Sequence, residues 1–179
     1  MSLLGRLGMN TSAFTPTPLL LRPQALQHQR FAAFGSVIGA SDLPGTSING
    51  GNAQRMDLLS DMQLTAAGGR PMLALFRAQA RQFPLPITAM ERHALGSQSF
   101  VPLGTQRFVV VVARPGSAPQ ACELHAFVTN GRQGVVLAPG TWHHALLAVE
   151  GGDFAVIERK AASVDCELCH MAEAIELVL

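Results

Sequence analysis

Residues 98–152 read QSFVPLGTQRFVVVVARPGSAPQACELHAFVTNGRQGVVLAPGTWHHALLAVEGG. Short apolar runs alternate with Gly, Pro or Asn-Gly punctuation at near-regular spacing. Such spacing predicts many short strands joined by tight turns, the pattern of an antiparallel barrel or sandwich. Runs such as Phe108–Val112 are continuously apolar, as expected for a strand covered on both faces.

The same rhythm extends in both directions. Upstream, "MLALFRAQA" puts Leu73, Leu75 and Arg77 on one face of a strand. "FPLPITAMERH" carries two prolines and predicts an edge strand or a bent entry. Downstream, "FAVIERK" closes the series. Near the start, "LLLRP" predicts a short strand. Leu26, Phe31 and Phe34 predict a helix from about Gln24 to Phe34, with Gly35 as its left-handed cap. "INGGNAQR" reads as a loop inside a turn-rich stretch. The tail "VDCELCHMAEAIELVL" mixes acidic and apolar residues and predicts a partly helical end. Residues 1–18 read as a disordered extension rather than a signal peptide. Residues 19–179 then form one domain. The fold class expected is mainly β, an antiparallel barrel with a few short flanking helices.

Composition narrows the function classes. The chain has 179 residues, 48% of them hydrophobic and 14% charged, with a net charge of +1. There is no run of like charge to suit nucleic acid or a membrane surface. No apolar stretch approaches membrane-spanning length. Three cysteines, an odd number without a paired framework, point to a reducing compartment and a cytoplasmic protein.

Two blocks carry the chemistry. "MERHALGSQSFVPLG" holds Glu91, His93 and Gln98 before Gly104, with Glu91 and His93 on one face of a strand. "APGTWHHALL" holds Gly140, then His143 and His144. Adjacent strand residues point to opposite faces, so only one of these two histidines looks into a given cavity. His143 is expected inward. His144 is expected on the other wall, with Leu146 and Ala148 beside it. Two imidazoles, one carboxylate and one amide can hold a divalent cation. His28 and His125 belong to no constellation and read as surface groups. Trp142 reads as a packing anchor. "CELCH", Cys166 to His170, matches the haem-attachment spacing, but without an export signal no haem is expected.

The two blocks resemble the half-motifs of the cupin superfamily. In this chain Glu91 stands where the first half-motif places a His, and Gln98 stands where it places a Glu. In the second, Pro139 falls one position late. A closer resemblance is to the ureidoglycolate lyase family. It is carried by "RFAAFGSVI", "INGGNAQR", "FRAQ", "ITAMERHALGSQSFVPL", "FVVVVA", "AFVTNGRQGV", "WHHALLA" and "DFAVIER". It runs from about Leu20 to Glu167. Ala145 departs from it, since the family places a Pro after the two histidines.

That resemblance implies a small cupin-type jelly-roll barrel, a homodimer, and cleavage of (S)-ureidoglycolate to glyoxylate and urea in purine or allantoin breakdown. This reaction needs a base, an acid and a carboxylate anchor. His93, His143 and His144 are the expected catalytic groups. Arg77 is the expected carboxylate anchor, with pairing to Glu91 or Asp153 as the other role open to it. Glu91 is equally open to a structural ion pair with Arg92 or Arg107. Gln98 and Asn49 are expected to address the ureido amide, and Arg55 is a second anion-binding candidate. Glu91, His93, Gln98 and His143 are the expected metal ligands, and the resemblance favours nickel. The readings left open are release of ammonia by amidohydrolysis of the same substrate, another metal-dependent cupin chemistry, and a non-catalytic cupin that binds a small acid.

Overall fold

The five consecutive apolar residues Phe108–Val112 become intelligible once both neighbours of their strand are seen. In the computed structural model, which describes residues 17–39, 44–58 and 62–179, strand Phe108–Ala113 lies inside the largest sheet. Its even-numbered residues Phe108, Val110 and Val112 face one core, and Val109, Val111 and Ala113 face another. Every residue of the strand is buried.

Three layers produce this. The middle sheet runs Glu167–His170, Ala89–Arg92, Trp142–His143, Phe108–Ala113, His125–Val128, Gln24–Ala25, with Leu147–Ala148 also paired to Phe108–Ala113. A five-stranded sheet faces one side of it, in the order Gly35–Ile38, Gly134–Leu137, Gln98–Pro102, Gly152–Lys160, Arg70–Ala78. Phe100, Val135, Phe154 and Val156 of that sheet meet Val110, Val112 and Phe127 in the first core. A three-stranded sheet, Leu19–Leu21, Ile175–Leu177 and Leu85–Pro86, covers the other side, supplying Leu85, Ile175 and Leu177 to the second core. Ladders are antiparallel except at Leu19–Leu21 with Ile175–Leu177, and at His125–Val128 with Gln24–Ala25. The architecture is mainly β, two large facing sheets of cupin type, as expected.

Some elements differ from the sequence expectation. The helix is only His28–Phe31, because Gln24–Ala25 is taken up by a ladder to Phe127 and Val128. Leu26, Phe31 and Phe34 are buried as predicted, but only Phe31 is helical; Leu26 follows a strand end and Phe34 lies in a turn. Gly35 is no cap. It opens a strand at φ +149°, where a Cβ would collide with the Val136 carbonyl. "INGGNAQR" is a β-hairpin, Thr46–Ile48 and Ala53–Arg55, turning through Asn49–Gly51. The tail is not helical. It forms strands Glu167–His170 and Ile175–Leu177, which pair with Ala89–Arg92 and with Leu19–Leu21 and Leu85–Pro86. The proline-rich entry does form a sheet edge at Leu85–Pro86. The expected extension over 1–18 lies, apart from Thr17 and Pro18, outside the described residues, as do 41–43, 59 and 60 of the turn-rich stretch.

Candidate active site

Strand pairing brings the two half-motifs together. Glu91 sits opposite His143 on adjacent antiparallel strands, so both side chains leave the same face. His143 is in turn opposite Val112, whose side chain points into the core between the large sheets. His93 follows the end of Ala89–Arg92, and its carbonyl accepts a 2.7 Å hydrogen bond from the Gly140 amide. Gly140, at φ +79°, makes the turn that aims Trp142 and His143 into the sheet.

The two imidazoles converge. Their ring centroids are 5.2 Å apart. His143 Nε2 lies 3.6 Å from Glu91 Oε1. One ligand atom from each of Glu91, His93 and His143 lies within 4.8 Å of the others. His143 Nδ1 meets the Thr141 carbonyl at 3.0 Å, and His93 Nδ1 meets the Asp165 carbonyl. A carbonyl only accepts, so each Nδ1 carries a proton, and in the neutral imidazole it is Nε2 that keeps the lone pair. Both Nε2 atoms are buried without a hydrogen-bond partner. Burial pushes the His143 pKa down to about 4, against the opposing pull of its hydrogen bond to the Thr141 carbonyl. At neutral pH His143 is therefore a neutral imidazole.

Two buried Nε2 atoms without hydrogen-bond partners, facing a carboxylate, form a pocket for a positive centre. That centre is a transferable proton or a divalent cation bound by two nitrogens and one oxygen. The residues therefore fit a metal. Gln98 takes a different part. Its Nε2 donates to Glu158 Oε2 at 2.9 Å, which leaves Oε1 buried and unpartnered.

The remaining expected site residues are placed elsewhere. His144 follows His143 at a β-bulge: Val112 pairs with His143, but Phe108 pairs with Ala148, a shift of one residue between the two short ladders. This overturns the expected alternation beyond His143. Leu146 and Ala148 return to the inter-sheet core, the side His143 faces. His144 Nδ1 bonds the Ala145 carbonyl, and the residue stands outside the Glu91–His93–His143 group. Arg77 forms a two-pronged ion pair with Asp153, at 2.8 and 3.1 Å, with its side chain 79% exposed. It lies five strand positions from the Met72–Glu158 pair, roughly 17 Å along the strand. Arg55 pairs with Asp57, and Asn49 is exposed at the hairpin tip, in the left-handed conformation. Glu91 has neither of its expected structural partners, because Arg92 bonds Glu167 and stacks on Trp142, and Arg107 holds Glu150.

Two residues join the site that the sequence did not single out. The Asp165 carboxylate accepts from the amides of Ala94 and Leu95, which fixes the turn after His93. Glu158 shares the core-facing side of its strand with Phe154 and Val156. A carboxylate continuing an apolar alternation inward was the available signal. Cys166 also touches the site, its thiol donating to Glu91 Oε2 at 3.7 Å. Burial and then the Glu91 charge push that thiol up, so it stays protonated. Cys169, three positions on, packs into the second core, so the two thiols of "CELCH" occupy different faces.

A family model described as ureidoglycolate lyase matches residues 18–178. A protein named ureidoglycolate lyase from Azotobacter vinelandii is 40% identical over 161 residues, covering 89% of this chain and 97% of its own length. One of the same name from Burkholderia cepacia is 42% identical over 154 residues, 84% of this chain and 85% of its own. Another, from Pseudomonas syringae pv. syringae, is 40% identical over 162 residues, covering 90% of this chain.

Proposed function

Because this chain belongs to the ureidoglycolate lyase family, we propose that it cleaves (S)-ureidoglycolate to glyoxylate and urea at the His93–His143 pair. The observation that carries the reading is the convergence of two imidazoles, each fixed by a carbonyl at Nδ1, beside one carboxylate. The substrate holds a carboxylate, a hydroxyl and a ureido nitrogen on one carbon. The hydroxyl proton passes to an imidazole Nε2. The O–H electrons become the carbonyl of glyoxylate as the carbon–nitrogen bond breaks. The imidazolium returns the proton to the departing nitrogen, and urea leaves. Atoms balance without water. His143, held neutral by burial, is ready to accept that proton.

The same donor set fits a divalent ion such as nickel, held by Glu91, His93 and His143, which would supply positive charge against the developing alkoxide. Gln98, oriented by Glu158, offers its Oε1 to the ureido N–H groups.

Residues 19–179 act as one cupin-type barrel domain in this reading, supported by the family match over nearly the same span. We also read the protein as a homodimer. Leu73 and Leu75 stand 71% and 59% exposed on the outer face of the edge strand Arg70–Ala78, an apolar surface a second copy would cover. Three free thiols suit the cytoplasm, and the reaction belongs in this reading to purine or allantoin breakdown.

The test is a continuous glyoxylate assay on the purified protein and on His143→Ala. Turnover in the first and its collapse in the second support the assignment. Equal turnover in both removes His143 from the chemistry.

A further inference from the structure

If the lyase reading holds, the site needs a cation for the substrate carboxylate, and Arg77 is committed to Asp153 on the outer face. Arg55, Arg92 and Arg107 are likewise held by Asp57, Glu167 and Glu150. We propose that Arg159 is the residue that binds the carboxylate of the substrate.

Arg159 follows Glu158 on strand Gly152–Lys160. With His93, Gly96, Glu158 and Lys160 it lines a cavity of about 260 Å³, ample for so small an acid. Its guanidinium is locked in place by neutral acceptors only. Nε donates to the Ala66 carbonyl at 2.8 Å and Nη2 to the Ala67 carbonyl at 3.1 Å. Ala67 is held at φ +48°, a conformation that costs a non-glycine residue energy. Nη1 is buried without any hydrogen-bond partner. A buried guanidinium N–H left unpaired is costly, and an incoming carboxylate oxygen relieves that cost.

The chain also reserves space for this side chain. A Cβ at Gly69 would come within 2.7 Å of Arg159 Cγ, and a Cβ at Gly96 would overlap the Arg159 side chain from the other loop. Gly96 lies between His93 and Gln98, so the loop that delivers the catalytic imidazole also packs on the aliphatic stem of Arg159. The arrangement is pre-organised: two of the three guanidinium nitrogens are engaged by the scaffold and Nη1 remains. Lys160 shares the cavity but is exposed, and none of its contacts fixes its ammonium.

The experiment compares the two products as ligands, because glyoxylate carries the carboxylate and urea does not. Inhibition constants for each, and KM for ureidoglycolate, are measured on the wild type, Arg159→Gln, Arg159→Lys and Arg77→Gln. Direct glyoxylate binding by calorimetry accompanies them. Losing one charge-assisted contact is expected to weaken glyoxylate and raise KM roughly ten- to a hundredfold in Arg159→Gln, with urea unmoved. Arg159→Lys, which keeps the charge without the fork, falls between and serves if the glutamine variant does not fold. An unchanged glyoxylate constant in Arg159→Gln overturns the proposal. So does an equal loss for glyoxylate and urea, which would mark a structural role, and so does a loss confined to Arg77→Gln. Glyoxylate binding lost in Arg159→Gln while the wild type turns over no ureidoglycolate would uphold the anchor and sink the lyase reading instead.

Discussion

His93 follows strand Ala89–Arg92 and His143 lies on strand Trp142–His143, yet their rings stand 5.2 Å apart, and each is oriented by a backbone carbonyl at Nδ1. The Gly140 amide to His93 carbonyl bond ties their two loops together directly. The pair is therefore a product of backbone geometry.

Both imidazoles are needed if both lone pairs work. His93→Ala and His143→Ala are each expected to lower kcat on the order of a hundredfold or more. Circular dichroism and melting temperature check that the fold survives. A double variant that is no worse than either single one is the expected sign of two groups acting as a unit.

Acid should destabilise the protein through His143. Its folded pKa of about 4 lies below the ordinary 6.5. Between those values the unfolded chain binds a proton that the folded chain refuses. Stability is thus complete above the upper value and is lost as pH falls towards the lower, by up to about 3 kcal/mol. Urea denaturation of chelator-treated protein at neutral and acid pH measures this. His143→Gln should show a clearly flatter dependence; an identical slope would remove His143 as the cause.

Divalent cations should raise the melting temperature of chelator-treated protein by binding the folded state. Nickel and cobalt are the ions to try. Glu91→Gln and His93→Ala should weaken the binding seen by calorimetry at least about tenfold, since each removes one donor of the set. Binding untouched by both substitutions would place the ion elsewhere.

Gly35→Ala tests the close approach of two strands rather than the chemistry. The new Cβ meets the Val136 carbonyl at a positive φ. A loss of roughly 2 kcal/mol or more is expected from the denaturation midpoint. A neutral effect would contradict the Gly35–Ile38 to Gly134–Leu137 register.

The sequence showed its strands wherever local signals sufficed. Phe108–Ala113 is legible because five apolar residues in a row need cover on both sides, and Glu91, His93 and His143 because cupin-like spacing marks them. What it hid depends on non-local pairing. The tail strands exist only because Ala89–Arg92, Leu85–Pro86 and Leu19–Leu21 have free edges to offer. Leu26, Phe31 and Phe34 have helical spacing, but a ladder to Val128 takes the first part of that segment. The bulge after His143 reverses the alternation without any Gly or Pro to announce it. Arg77 looked inward from an apolar strand because nothing local said that Leu73 and Leu75 face out. Glu158 passed unnoticed because its role appears only when Gln98 is laid beside it.

The most direct measurement is an end-point product balance on (S)-ureidoglycolate, with glyoxylate, urea and ammonia scored separately. Glyoxylate and urea in equal amounts, with no ammonia, is the predicted result. Ammonia in place of urea, or no turnover with or without added nickel or manganese, would contradict it.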